Sequence, residues 1–141
     1  MLQVIPLTAS HRRFAAPWIQ WLALLGLCAA YLQGGIDKAS NFGSAVDEMH
    51  HFGLPYAAPL AALTILVEIG ASLLILTGIQ RWAGALVLAG FTLFATFVAN
   101  RFWEMAAPER FMAANSFFEH IGLIGGFVLV AWHDLRQRDH A

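Results

Sequence analysis

The sequence predicts an all-α polytopic membrane protein, a four-transmembrane-helix bundle, and three observations predict it. The chain of 141 residues is 59% hydrophobic and only 12% charged, against about 25% charged in an ordinary soluble domain. Residues 17–36, 49–67 and 82–100 carry no Asp, Glu, Lys or Arg at all, and about 20 apolar helical residues suffice to cross a bilayer. Lys and Arg also fall unequally on the two sides that four spans would create. The composition excludes disorder, a disulfide scaffold and a nucleic-acid binder. One cysteine, Cys28, cannot close an internal bridge, and a net charge of −1 offers no basic surface to phosphates.

Spans are expected at about 17–36, 56–79, 82–103 and 115–133, forming one membrane domain over residues 1–141 without internal repeats. The first begins at Pro17, which suits a first helical turn, and is expected to stop at Gly34-Gly35. Arg12-Arg13 ahead of it admit a signal-peptide reading. The apolar stretch is too long for a typical signal core and no small-x-small cleavage site follows, so an uncleaved span is expected. The second span follows Gly53-Leu54-Pro55 and ends near Gly78. Only Arg81 and its neighbours separate it from the third, so the two form a tight antiparallel hairpin. Pro108 helps to end the third span.

The same four-span order places Arg12, Arg13, Arg81, Arg136 and Arg138 on one side and Lys38, Arg101 and Arg110 on the other. Both termini are therefore expected in the cytoplasm. Trp18, Trp82 and Trp132 then mark the cytoplasmic interface, and Trp103 and Tyr56 the outer one.

Each span carries a stripe of small or polar residues at helical spacing: Gly26, Ala30 and Gly34; Thr64, Glu68 and Ser72; Thr92, Thr96, Asn100 and Glu104; Asn115, Glu119, Gly122 and Gly126. Such stripes let helices approach closely and bond across the contact. Glu68 stands apart, since a carboxylate near mid-span costs a few kcal/mol or more to insert, on the order of 3 on insertion scales. Lys38 reads as lying near the outer face and Arg81 near the inner one. With no cation at its depth, Glu68 is expected to be an uncharged acid beside Thr92 and Thr96, contacting a proton or a ligand.

A second group gathers at the outer helix ends: Gln33, Asp37 and Lys38; Asp47, Glu48, His50 and His51; Asn100, Arg101 and Glu104; Glu119 and His120. It reads as a solvated polar rim or as a site for a polar head group such as a quinone ring. Its spacing matches no metal motif, and no metal site is assigned. Cys28, within the first span, reads as inert packing, and His11, His133 and His140 as interfacial or tail residues. No motif for serine hydrolysis, nucleotide binding, thiol redox or covalent haem is present.

The chain resembles the DoxX-like family of small membrane proteins, and several stretches carry the resemblance. They are Val67-Glu68-Ile69-Gly70 followed by Leu76-Thr77-Gly78-Ile79-Gln80-Arg81; Gly35-Ile36-Asp37-Lys38; Gly53-Leu54-Pro55; and Phe117-Phe118-Glu119-His120 followed by Ile124-Gly125-Gly126. They run from the first span to the end of the fourth. One departure is Ile19-Gln20-Trp21, where many members have an Arg early in the first helix. The resemblance implies a polytopic inner-membrane protein of a bacterium or archaeon. By association only, it implies a redox-linked subunit of a membrane oxidoreductase complex. On that reading the partners are the lipid bilayer and other proteins of a complex, with no nucleic acid. A quinone would be the candidate cofactor. Glu68 would be the catalytic or proton-handling residue, and Lys38, Thr92, Thr96, Asn100, Glu119 and His120 the ligand contacts. A non-catalytic scaffold or assembly partner is the alternative function. A small-solute transporter is a third, though neither internal symmetry nor a pair of broken helices supports it.

Overall fold

The computed structural model describes residues 16–140, and every regular element among them is helical. In chain order these are α1 (Pro17–Ser40), α2 (Phe42–His51), α3 (Ala57–Thr77), α4 (Arg81–Ala99), a 3-10 turn at Phe102–Glu104, and α5 (Glu109–Asp139). α1, α3, α5 and the segment Arg81–Glu104 are long and apolar enough to cross a membrane. Arg12, Arg13 and His11 lie outside the described residues.

α1 starts with Pro17 in its first turn but does not stop at Gly34-Gly35. It continues to Ser40 because Gly35 is a contact residue and not a terminator. A Cβ there would stand 2.7 Å from Ile69 Cγ1 and 3.3 Å from Glu68 Cβ, so the missing side chain is what lets α1 lie against α3. Asn41 then ends α1 and caps α2, its side chain accepting a hydrogen bond from the Ser44 amide at 3.4 Å. α2 occupies what the sequence presented as a loop. Its Ala45 and Met49 pack against Ala57 and Ala61 of α3, while Asp47, Glu48, His50 and His51 stay exposed.

α3 ends at Gly78, which takes the left-handed conformation (φ 77°) and returns its N–H to Leu74 O at 3.2 Å. The hairpin that follows is close. A Cβ on Gly84 would come within 2.6 Å of the Ala71 carbonyl oxygen. The turn is held from two sides. Arg81 Nε donates to Ile75 O at 3.0 Å, and buried Asp134 of α5 accepts from the Trp82 amide at 3.2 Å and from Arg138 Nε at 3.0 Å.

Packing runs from α1 to α3, α3 to α4 and α4 to α5, and α1 touches α5 only sparingly. The main core lies toward the α3–α4 turn and centres on Cys28, Tyr31, Ile75, Leu88 and Phe127. The stripes on α3 and α4 are buried at Glu68, Ser72, Thr92 and Thr96. The other two need correction. On α1 the buried line is Leu24, Cys28, Tyr31 and Gly35, and Gly26 and Ala30 are exposed. On α5 Asn115, Glu119 and Gly122 are exposed, and of the Gly-x-x-x-Gly only Gly126 meets a neighbour, with Leu27 Cδ1 3.3 Å from its would-be Cβ. Bulky buried residues, Leu24 on α1 and Phe127 on α5, take the core positions, and Gly26 and Gly122 have no neighbour within 4 Å of a would-be Cβ. Trp18, Trp103, Trp132 and Tyr56 are exposed near helix ends, whereas Trp82 is half-buried against the core.

Candidate functional site

In the half of the bundle nearer α2 the helices part around a cavity of about 280 Å³. α1 contributes Tyr31 and Lys38, α3 contributes Thr64 and Glu68, α4 contributes Phe91 and Thr92, and α5 contributes His120; α2 covers it with Glu48 and Met49. Ala30 and Phe94 belong both to this wall and to the exposed apolar surface. The cavity is therefore partly open on the face that lipid would cover.

Glu68 and Lys38 form the polar centre of the wall. Lys38 Nζ stands 3.4 Å from both carboxyl oxygens, with the Glu68 side chain 9% exposed and that of Lys38 18%. This corrects the expectation that no cation lies within reach of Glu68. The physical reason is helix register. Gly35 lies beside Glu68 and Ile69, so beyond that level α1 has only the stretch to Ser40, whereas α3 has the whole stretch from Ala57. Lys38 is close to the end of its helix and yet only about one turn above Glu68. Ser72 Oγ donates to the Glu68 carbonyl at 2.6 Å and so fixes the backbone, leaving the carboxylate to Lys38.

Tyr31 adds a second polar point. Its hydroxyl lies 2.5 Å from Thr92 Oγ1, which itself donates to Leu88 O at 2.6 Å. A threonine has one hydroxyl proton, so Tyr31 is the donor in the first bond. Phe127 and Phe91 meet the tyrosine ring edge to face, at centroid distances of 5.4 and 6.4 Å, which fixes its direction. Sequence reasoning missed Tyr31. The signal was the spacing of Cys28, Tyr31 and Gly35 on one helical face.

His120 is the third. Asn100 Nδ2 lies 3.3 Å from His120 Nδ1 and 3.3 Å from Thr96 Oγ1. One amide group supplies both protons, so Nδ1 accepts and the ring proton sits on Nε2. Thr96 and Asn100 thus position His120 and are not themselves among the residues lining the cavity.

Of the residues expected to contact a ligand, Lys38, Glu68, Thr92 and His120 surround one space. Glu119 does not. It is exposed, because successive helical residues point about 100° apart and His120 occupies the inward direction. Asp37, Asp47, Glu104, His50 and His51 are spread over the surface. Among the described residues no three His, Cys, Asp or Glu side chains come together in a metal-binding group. Cys28 is fully buried and unbridged in the core, apart from the cavity. Phe97, Phe102, Trp103, Phe117 and Phe118 pack edge to face or tilted where α4 hands over to α5.

The DoxX family profile matches residues 21–101, which hold α1 from its second turn through α4 and therefore Lys38, Glu68, Tyr31 and Thr92. The chain is also similar to the Inner membrane protein YphA of Escherichia coli (strain K12). The two are 22% identical over 117 residues, covering 83% of this chain and 84% of that protein. No solved structure matches the chain.

Proposed function

The chain belongs to the DoxX family of integral membrane proteins, and on that premise we propose that it binds an apolar quinone-like ring as a redox-linked subunit of a membrane complex. The observation that carries this reading is the Lys38–Glu68 pair on the wall of a cavity that is otherwise largely apolar and partly open to the lipid face. Small-molecule sites combine apolar walls with a few placed polar groups, and their volumes start at roughly 300 Å³. At about 280 Å³ the cavity suits a single ring. Lys38 can donate to a ring oxygen without leaving Glu68. The carboxylate beside it can exchange a proton with that oxygen when the ring changes oxidation state. His120 Nε2–H is a donor for a second oxygen. Electrons would come from a partner protein of the complex. The inner membrane of a bacterial cell, with both termini cytoplasmic, is the location that goes with this reading.

Titration of the purified full-length protein with a short-chain quinone tests it. Binding is expected to weaken about tenfold in Lys38→Met, the worth of one charge-assisted hydrogen bond. Glu68→Gln is expected to retain binding and to lose any proton-coupled turnover in the assembled complex. Wild-type protein that neither binds added quinone nor carries one when extracted from its native membrane would leave the scaffold reading in its place.

A further inference from the structure

At the opposite end of the bundle a second cavity of about 240 Å³ separates α1 from α5. Its lining changes with depth. Gln20, Arg81 and Gln137 come from the helix ends near the α3–α4 turn, and Leu24, Leu129 and Val130 lie one turn or more further into the spans. The cleft is thus polar at its end and apolar within, in the direction a lipid molecule would lie.

Its charge is also unbalanced. Asp134 lines the cleft, but its Oδ2 is occupied by the Trp82 amide and by Arg138. Arg138 in turn donates to the carbonyls of Gly78 and Ile79. Arg81 uses Nε on the Ile75 carbonyl and forms no ion pair with any described residue. The half-buried guanidinium retains its terminal N–H groups and a full positive charge. Arg136, stacked over Trp132 at 4.9 Å, adds a second cation on the same end of α5. Planar N–H forks of this kind match phosphate oxygens, and basic pockets between spans hold anionic headgroups.

We propose that this cleft is a binding site for an anionic phosphoglyceride, its phosphate on Arg81 and an acyl chain along Leu24, Leu129 and Val130. The site is separate from the cavity at Glu68 and does not depend on what that cavity binds. Native mass spectrometry of the full-length protein, offered phosphatidylglycerol and phosphatidylcholine of equal chain length, tests it. The wild type should retain phosphatidylglycerol about fivefold over phosphatidylcholine, the contribution of one interfacial cation. Arg81→Gln should abolish the preference and Arg81→Lys should keep part of it. Ala23→Phe, which fills the cleft and leaves every charge in place, should lower retention of both lipids; it keeps the test open if Arg81→Gln does not fold. Equal retention by the wild type, an unchanged preference in Arg81→Gln, or displacement of the lipid by millimolar inorganic phosphate would each overturn the proposal. The last result would mean a site for a free anion.

Discussion

Lys38 Nζ and the Glu68 carboxyl group lie 3.4 Å apart at a largely buried position, and removing either side chain leaves the other without its partner. Glu68→Ala or Lys38→Ala alone should therefore destabilise the protein by about 3 kcal/mol. The double replacement Lys38→Met with Glu68→Met should recover most of that loss, and unfolding in detergent with increasing denaturant measures both. Tyr31→Phe should cost about 1 kcal/mol and no more, because the Thr92 hydroxyl keeps its bond to Leu88 O. Glu68, Thr92 and Thr96 were legible in the sequence, since polar groups in an apolar run must turn inward. The partnership with Lys38 was not, because it depends on how far α1 has slid along α3. Asp134 escaped notice for a related reason. It stands at the border of a span among other charges, and only the fold shows that it is buried against the Trp82 amide.

Helices α3 and α4 approach through Gly84, where a methyl group would strike the Ala71 carbonyl oxygen, and α1 meets α3 through Gly35. Gly84→Ala should cost about 1–3 kcal/mol by overpacking, whereas Gly122→Ala, with nothing within 4 Å, should be neutral or stabilise its helix by up to about 1 kcal/mol. Comparing the two melting temperatures separates a glycine that serves packing from one that does not. The sequence does not make that distinction, because Gly122 carries the same spacing signal as Gly126, which does meet a neighbour. The four long helices were legible from apolar length. α2 was not, since a ten-residue helix with Asp47, Glu48, His50 and His51 has the composition of a loop. Its signals were local ones: Asn41 as a cap, then Ala45 and Met49 one turn apart on the face that meets α3.

Across the whole molecule the helix ends sort into two sets, the α3–α4 turn with the C-terminal end of α5, and α2 with the α4–α5 connection. Under the proposed orientation a cytoplasm-active reporter fused to either terminus should work, and one inserted at Ser44 should report the opposite side. A cytoplasmic signal at Ser44 would reverse the orientation. The two halves also differ in how they are filled. Near the turn, Gly84 brings α3 and α4 into close contact and the free space lies between α1 and α5, while near α2 the helices stand apart around about 280 Å³. Empty space is where a protein is compressible, since pressure favours whichever state removes it. The close α3–α4 contact at Gly84 should accordingly resist pressure longest, and an occupant of the cavity near α2 should stiffen the helices around it.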